Sequence, residues 1–277
     1  MTVKVAALQM TSGPDVAGNL AQAGALIEAA AAAGARLVTL PENFSFMGLK
    51  DADKRAVAES PGAGPVQDFL AATATRLKVW IVGGTTPLRA GGDGRVAAAS
   101  LVLDADGRQV ARYDKIHLFD VDLPGRAESY RESAHVAPGA RVAVIDTPAG
   151  RLGLSVCYDV RFPELYRQLS AAGAQLLVVP SAFTSPTGRA HWETLLRARA
   201  IENLCYVIAP AQSGFHPSGR ETYGDSMIVD YWGRVLSRVP RGTGYALAEV
   251  DIARQSQVRE SFPALGHRVL SEGTAHS

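Results

Sequence analysis

The stretch Gly34-Ala-Arg-Leu-Val-Thr-Leu-Pro-Glu-Asn-Phe44 recurs 139 residues later as Gly173-Ala-Gln-Leu-Leu-Val-Val-Pro-Ser-Ala-Phe183. Both copies read G-A-x-L, then three apolar or β-branched residues, then P-x-x-F. A second pair, SLVLDADGR at 100–108 and SMIVDYWGR at 226–234, follows 126 residues apart. A helix, an apolar strand, a proline corner and a D-x-x-G hairpin therefore occur in the same order twice. This predicts a duplicated α/β unit; the alternative is coincidence among common strand and turn residues.

The duplication predicts two sheets that pack face to face, with helices outside. No change of composition and no linker separates the halves, so we expect a single domain over residues 1–270 and a loose C-terminal tail at 271–277. Residues 116–139 show no clean period and predict a long ordered loop of the kind that usually carries function. The predicted strands are Val3–Gln9, Leu37–Leu40, Val79–Val82, Leu101–Leu103, Val110–Tyr113, Arg141–Ile145, Leu152–Cys157, Leu176–Val179, Cys205–Ala209, Met227–Val229, Val235–Val239 and Tyr245–Val250. The predicted helices are Asn19–Ala33, Pro65–Lys78, Phe162–Ala172, His191–Asn203 and Asp251–Glu260.

The composition restricts the class of protein. The 277 residues are 47% hydrophobic and 20% charged, as in a globular protein that builds its core without disulfides or metals. Because 28 Lys and Arg balance 27 Asp and Glu, there is no basic excess to bind nucleic acid. The N-terminus lacks a signal-peptide pattern, and no apolar run approaches the ~20 residues of a membrane helix. With only two cysteines, we expect a cytoplasmic protein with neither nucleic acid nor membrane as a partner.

Cys157 is the stronger candidate for a reactive cysteine. It stands where a predicted strand leads into a helix that has Pro163 in its first turn. Free backbone N–H groups and the positive end of a helix stabilise a thiolate, so the pKa of this thiol is predicted to be lowered. The polar residues around Cys157 are unusual in a core; the alternative is a buried structural cysteine. Cys205 lies inside an apolar strand, which is typical of a structural role.

A nucleophilic cysteine needs a base, and Glu42 is the best candidate. It follows an apolar strand and Pro41, and partial burial beside Phe44 and Phe46 would raise the pKa of its carboxyl; the alternative is a solvated turn residue. None of the six histidines lies in a recognisable cysteine-protease context, so a Cys–His pair stays open. Lys115, at the end of an amphipathic strand, is either exposed or a fixed cation that stabilises an oxyanion.

Three motifs in order resemble those of the carbon–nitrogen hydrolase (nitrilase) superfamily: Pro41-Glu-Asn-Phe44, Tyr113-Asp-Lys-Ile-His-Leu-Phe119 and Cys157-Tyr-Asp-x-Arg-Phe-Pro-Glu164. The similarity extends from the first strand to about Arg268. The resemblance implies an α/β four-layer αββα sandwich of two mixed sheets, and a Glu–Lys–Cys triad at Glu42, Lys115 and Cys157. It also implies a second glutamate, matched by Glu132 with Glu128 as the alternative. It requires no cofactor and no metal, and the chain shows no zinc-like ligand spacing, phosphate loop or dinucleotide motif.

The second half is most similar to the deaminated glutathione amidase and ω-amidase branch of this superfamily. The similarity rests on PSAF at 180–183, TG at 187–188, HWE at 191–193, LRARAIE at 196–202 and AQSGFH at 211–216. Arg189 and Asp225 depart from it, since Pro and His are common at those positions. The branch implies a homodimer that uses the region of the helix at 191–203. It also implies substrate contacts from residues on the turn after the nucleophile and in the second half: Tyr158, Arg161, Phe183 and Thr187.

The expected mechanism passes through a thioester. Glu42 takes the proton of Cys157, the thiolate attacks an amide carbonyl, and Lys115 and the backbone N–H of Tyr158 hold the oxyanion. Glu42 then protonates the leaving ammonia and activates the water that releases the acid. Glu132 would orient Lys115 or the attacking water.

The expected substrate is a small aliphatic amide that carries a carboxylate, and deaminated glutathione is the first choice. A planar guanidinium at Arg161 could bind that carboxylate in bidentate fashion, unless it forms a structural salt bridge to Asp159 or Glu164. The alternatives are an ω-amidase acting on α-ketoglutaramate or α-ketosuccinamate, a nitrilase, and a non-catalytic binding or scaffold relative. Tyr-Asp-x-Arg after the cysteine resembles amidases more than nitrilases.

Overall fold

Two β-sheets packed face to face, with helices on both outer faces, form the architecture of this computed structural model, which describes residues 2–123 and 128–269. The predicted α/β four-layer αββα sandwich is thereby confirmed. The predicted tail at 271–277 lies outside the described residues. Within the described ranges, no helix combines the length and the apolar character needed to cross a bilayer.

The strands of the described residues, in chain order, are β1 (Thr2–Met10), β2 (Leu37–Thr39), β3 (Trp80–Val82), β4 (Thr86–Arg89), β5 (Val96–Leu103), β6 (Gln109–Asp114), β7 (Asp120–Asp122), β8 (Ser129–Arg131), β9 (Val144–Thr147), β10 (Gly150–Leu154), β11 (Leu176–Val178), β12 (Tyr206–Ala209), β13 (Ala211–Phe215), β14 (Glu221–Tyr223), β15 (Ser226–Val229), β16 (Val235–Val239) and β17 (Gly244–Asp251). The first sheet runs β14-β13-β1-β2-β3-β5-β4, with β17 paired to β1 and β6 paired to β5. The second sheet runs β16-β15-β12-β11-β10-β9, while β7 and β8 form a separate ribbon.

The helices cover the outer faces of the sheets. They are α1 (Val16–Ala32), α2 (Pro65–Leu77), α3 (Pro163–Ala171), α4 (Ser185–Asn203) and α5 (Ile252–Ser261). Helices α1 and α2 share a buried cluster with one face of the first sheet, whereas α3 and α4 pack on the second. Side chains of β1 alternate between the two clusters: Val5 and Ala7 face the second sheet, and Ala6 and Leu8 face the helices.

The two repeated segments fold alike. In the first sheet β2 pairs in parallel with β3, β3 pairs antiparallel with β5, and β5 forms a hairpin with β6. In the second sheet β11, β12, β15 and β16 pair in the same pattern. The hairpin turns also match, because Asp104 Oδ1 accepts hydrogen bonds from the N–H of Asp106 and Arg108, and Asp230 Oδ1 accepts from those of Trp232 and Arg234.

Several elements differ from the sequence prediction. The short strands β4, β13 and β14 were not predicted; β13 lies at the end of β1, where Gln9 pairs with Ala211. Helix α4 begins at Ser185, six residues before the predicted start, and has Pro186 in its first turn, where proline is favourable. Gly188 lies in the added segment, where a Cβ would be 2.3 Å from the Tyr223 Cβ. The predicted loop at 116–139 contains the β7–β8 ribbon and a 3₁₀ turn at Glu132–Ala134; its residues 124–127 lie outside the described ranges.

The buried carboxylate of Asp159 joins the end of β6 to the turn after β10. Its Oδ2 accepts hydrogen bonds from the Tyr113 hydroxyl at 2.7 Å and the Val156 backbone N–H at 2.8 Å. Its Oδ1 lies 3.0 Å from the backbone N of His117 and 2.7 Å from that residue's Nδ1. A fully buried carboxylate is stable here because donors surround both oxygens. The two segments are therefore fixed relative to each other.

We expect Asp159→Asn to lower the free energy of unfolding by about 1–3 kcal/mol, because the amide NH₂ must face a donor and leave at least one buried group unpaired. Urea denaturation measures the change. Tyr113→Phe is the matched control: it removes one hydroxyl but leaves both backbone N–H groups paired, so its loss should be smaller. Equal losses in the two variants would contradict this account.

Candidate active site

Four residues from distant parts of the chain meet at the carboxyl ends of the strands. Glu42 follows the proline corner after β2, and Lys115 is the first residue after β6. Cys157 begins the 3₁₀ turn that follows β10, and Glu132 begins the turn that follows β8. All four line one pocket, whose empty volume of about 500 Å³ includes space that is open to solvent.

The ammonium of Lys115 lies between two carboxylates. Its Nζ is 2.8 Å from Glu42 Oε1, and 3.0 and 2.8 Å from the two oxygens of Glu132. The lysine is only 2% exposed. Burial acts to lower its pKa, but Glu132 and Glu42 outweigh that effect and raise the pKa of Lys115 well above its ordinary value. The lysine is therefore a permanent cation.

Glu42 is ionised in the resting site, as a base must be, but its pKa is shifted in the direction opposite to the sequence expectation. Burial acts to raise the pKa of its carboxyl, as predicted, but the charge and hydrogen bond of Lys115 outweigh it and hold the pKa below the ordinary value. The second oxygen, Oε2, accepts a hydrogen bond from the Ala182 N–H at 2.9 Å. The predicted rise of this pKa was wrong because the sequence did not place a cation against the carboxylate.

The proline corner holds Glu42 rigidly. Asn43 adopts φ of 57°, and its N–H donates to Thr85 Oγ1 at 2.8 Å. The carbonyl of Glu42 accepts from Gln212 Nε2 at 3.1 Å. Gly84 lies against the corner so closely that a Cβ there would be 2.0 Å from the Pro41 oxygen. The backbone that carries the carboxylate is thus enclosed on several sides.

Cys157 occupies a strained position at the turn. Its φ is 49°, a conformation that non-glycine residues rarely adopt, and its N–H donates to the Pro180 oxygen at 2.9 Å. Burial and the Glu42 carboxylate raise the pKa of the thiol, although Lys115 and the Ala182 N–H act to lower it. The predicted lowering of this pKa was wrong, since burial and the adjacent carboxylate outweigh the nearby donors. The resting site holds a neutral thiol beside a carboxylate.

Glu132 and Glu128 take different places. Glu132 contacts Lys115 and accepts a hydrogen bond from the Phe119 N–H at 2.7 Å. Glu128 instead accepts from the Tyr130 hydroxyl at 3.0 Å. Of the two glutamates, Glu132 is the one that reaches the buried cluster.

The four predicted substrate-contacting residues all line the same pocket. The guanidinium carbon of Arg161 lies 5.8 Å from the ring centre of Tyr158 and 5.3 Å from that of Phe183, and Arg161 Nη1 is 3.3 Å from His191 Nδ1. Thr187 Oγ1 is 2.7 Å from the Thr184 hydroxyl.

The predicted alternative for Arg161, a salt bridge to Asp159 or Glu164, is wrong within the described residues. Asp159 bonds to the end of β6 instead. A guanidinium that faces a pocket without a carboxylate partner is available to an anion.

The other candidates lie elsewhere. Cys205 is buried, with its sulfur 3.2 Å from the Ala174 oxygen, and lies outside the pocket lining, as a structural cysteine would. No histidine is among the described residues that line the pocket; His117 pairs with Asp159, and His216 with Ser12 and Thr222. No group of three His, Cys, Asp or Glu side chains in the described ranges is arranged to hold a metal ion.

Sequence reasoning missed two cations at the pocket, Lys54 and Arg220. Lys54 lies on a short 3₁₀ turn, Asp51–Arg55, that carries no motif. Arg220 lies between β13 and β14, two strands that the sequence did not predict. The missed strands therefore concealed part of the pocket wall.

Comparison with known proteins agrees with this geometry. A family model described as carbon–nitrogen hydrolase matches residues 4–260. The chain is 47% identical over 268 residues to a deaminated glutathione amidase of Synechocystis, covering 96% of this chain and 97% of that protein.

Two solved structures are similar in fold as well as in sequence. The NitFhit protein of C. elegans matches with a TM-score of 0.89 and 40% identity, over 97% of this chain and 65% of that one. Nit3 of Saccharomyces cerevisiae, a member of branch 10 of the nitrilase superfamily, matches with a TM-score of 0.85 and 32% identity, over 95% and 94% of the two chains. The chain therefore belongs to the carbon–nitrogen hydrolase family and hydrolyses carbon–nitrogen bonds of amides.

Proposed function

We propose that this amidase cleaves deaminated glutathione through a thioester on Cys157. The observation that carries the proposal is the buried Glu42–Lys115–Glu132 cluster against a neutral thiol in an open pocket. The name of the Synechocystis relative supports the choice of substrate. The acyl half of this substrate is a keto acid, and its leaving group is the amine of cysteinylglycine.

In the first half-reaction, Glu42 accepts the proton of Cys157 while the sulfur forms a bond to the amide carbonyl carbon. The carbonyl oxygen becomes an oxyanion, stabilised by the fixed cation of Lys115 and by the N–H of Tyr158. The Tyr158 N–H suits this role because it lies at the start of the 3₁₀ turn Cys157–Arg161, where the first N–H groups of a helical turn have no partner within the turn. Glu42 then gives its proton to the leaving nitrogen, the carbon–nitrogen bond breaks, and a thioester remains.

In the second half-reaction, Glu42 accepts a proton from water, and the hydroxide oxygen attacks the thioester carbon. The carbon–sulfur bond breaks, the thiolate recovers a proton from Glu42, and the keto acid leaves. Because Glu42 begins and ends each half-reaction ionised, its lowered pKa matches the resting state of the cycle. The resting thiol has a raised pKa, so the thiolate forms only as the new bond develops.

Glu132 is a positioning residue in this scheme. Its two oxygens hold Lys115 Nζ, and its own carboxylate is fixed by the Phe119 N–H. Two carboxylates around one ammonium leave a net negative charge, which the developing proton transfer to Glu42 removes. Lys115 can then turn its positive charge toward the oxyanion.

The wild-type enzyme should hydrolyse deaminated glutathione faster than α-ketoglutaramate or a matching nitrile, as measured by release of the amine or ammonia. Cys157→Ala should lose at least ~10⁴-fold in kcat, because no other group in the pocket can form the thioester. Mass spectrometry with a slow substrate should place the adduct on a Cys157 peptide. Cys205→Ala is the control and should retain activity.

Each alternative has a distinct result in this panel. A preference for α-ketoglutaramate would identify an ω-amidase, and faster turnover of the nitrile would identify a nitrilase. No turnover of any compound would point to a non-catalytic relative. An adduct on Cys205, or full activity of the alanine variant at 157, would disprove the assigned nucleophile.

Arg161→Lys should lower kcat/KM about tenfold for keto-acid amides relative to uncharged amides, because lysine keeps the charge but loses the planar fork. Steady-state kinetics on one substrate of each kind measures the ratio. Arg189→Lys, outside the described pocket lining, is the matched control and should leave the ratio unchanged. Equal losses on both substrates would assign Arg161 a structural role instead.

The enzyme is proposed to work as a homodimer. Ile201 on α4, Trp232 and Phe262 after α5 remain about half exposed. The rings of Trp232 and Phe262 lie 5.6 Å apart, and Gly233, next to Trp232, packs against Ile201. An apolar patch of this kind marks a protein contact. Sedimentation velocity should give a dimer that Trp232→Lys weakens; a concentration-independent monomer would exclude the dimer.

The cytoplasmic location, which suits two free cysteines, stays a prediction.

A further inference from the structure

A second, outer chamber opens onto the catalytic pocket. It encloses about 1390 Å³ of space that is open to solvent. The chamber and the pocket share five lining residues, which mark the passage between them: Asn43, Asp51, Lys54, Tyr130 and Arg220. Neither Cys157 nor Arg161 lines the outer chamber, so it lies beyond the passage and away from the turn that holds the nucleophile.

Two cations in the passage have no anionic partner. Neither Lys54 nor Arg220 has a carboxylate oxygen of a described residue within 4.0 Å, although the charge of Lys54 acts on Glu42 from farther away. Arg220 is held in place by a hydrogen bond to the Ala182 oxygen and by the ring of Tyr130, whose centre is 5.3 Å from the guanidinium carbon. Its Nε is buried and has no hydrogen-bond partner among the described residues. A guanidinium that is held in place at the passage, together with an ammonium that lines the same passage, is suited to a carboxylate.

Acidic side chains also face the chamber, and they limit what it can bind. Asp51, Glu128 and Glu221 line it. Asp51 also lines the passage, but Lys54 and Arg220 outnumber it there. Beyond the passage the charged residues of the chamber are Lys50, Glu128 and Glu221, so acids are in excess there and the passage is the part that favours an anion.

Both cations lie on the side of Glu42. Arg220 and Glu42 bind the same residue, since Ala182 gives its oxygen to the arginine and its N–H to the carboxylate. The positive charge of Lys54 acts on Glu42 as well. Arg161, by contrast, lies on the turn that begins at Cys157, between the rings of Tyr158 and Phe183. The pocket thus has Arg161 on the side of the Cys157 turn, and Lys54 and Arg220 on the side that opens to the chamber.

The side matters because Glu42 hands its proton to the leaving amine, so the amine half of the substrate must lie on the Glu42 side of the scissile bond. We propose that the passage is the subsite for this leaving group, and that Lys54 and Arg220 bind a carboxylate on it. The enzyme then selects amides of amino acids or short peptides, with one carboxylate on each side of the scissile bond, over primary amides. This inference rests on the proposed function and names which half of the substrate each cation recognises.

The test compares three amides with the same keto-acid acyl group. Deaminated glutathione carries a carboxylate on its leaving group, its C-terminal carboxamide lacks only that charge, and α-ketoglutaramate releases ammonia. The wild type should have a kcat/KM about tenfold to a hundredfold higher for deaminated glutathione than for the carboxamide, chiefly through KM, because a charge-assisted hydrogen bond is lost. Lys54→Met and Arg220→Met should each reduce that ratio, and the double variant should bring it near one.

Matched controls remove the same charges elsewhere. Lys78→Met and Arg76→Met each delete one exposed cation that is paired on the surface, and the ratio should stay at the wild-type value. Because Arg220 also contacts Ala182, Lys54→Met is the decisive variant: it changes a residue on a short surface turn. A conservative Arg220→Lys should restore part of the ratio that Arg220→Met loses.

The outcomes separate the subsite from the function on which it rests. Turnover of α-ketoglutaramate together with equal kcat/KM for deaminated glutathione and its carboxamide would overturn the subsite and leave the amidase intact. If Lys54→Met leaves the ratio of kcat/KM for deaminated glutathione over its carboxamide at the wild-type value, the role of Lys54 in the subsite is overturned. Failure of the wild type to cleave any of the three compounds would instead overturn the proposed function.

Discussion

The buried ammonium of Lys115 is the constraint on which the site depends. Its two partners come from separate segments, Glu42 after β2 and Glu132 after β8, and both lie within 3.0 Å. Burying an ammonium is unfavourable unless carboxylates compensate it, and removing Lys115 would leave two facing carboxylates without a counter-charge. The cluster therefore holds the three segments in one arrangement, and that arrangement keeps Glu42 ionised beside a neutral Cys157.

The duplicated architecture explains why such distant residues meet. In each sheet a parallel core of strands ends at the same edge, and the repeated proline corners follow β2 and β11 at that edge. One corner carries Glu42, and the other supplies the Ala182 N–H that binds its Oε2 at 2.9 Å. The two halves have thus diverged in chemistry while keeping one geometry: the first corner carries the carboxylate, and the second orients it. The buried Asp159 adds the remaining link, between the end of β6 and the turn that begins at Cys157.

The cationic side chains of the pocket fall into two groups that differ in their partners. Lys115 is paired with two carboxylates, whereas Arg161, Lys54 and Arg220 line the pocket without a carboxylate partner among the described residues. Because the reaction chemistry is the same for every amide, the proposed discrimination between substrates rests on these three cations. A residue such as Arg220, seated on Tyr130, loses little freedom when an anion binds, which favours selectivity.

The sequence by itself determined the repeat, the layered α/β class, the family motifs and the positions of Glu42, Lys115 and Cys157, because periodicity, turn residues and motif spacing are local properties. Tertiary structure decided what neighbours each group. The pKa of Glu42 is lowered and that of Cys157 raised, opposite to the sequence expectation, since the cation and the burial that set them come from segments far apart in the chain. Strands β13 and β14 were invisible for the same reason: each is short, and its pairing partners hold it in place. Because the sequence did not predict these strands, it also did not predict that Arg220, which lies between them, lines the pocket. That part of the pocket wall is formed only by the tertiary structure.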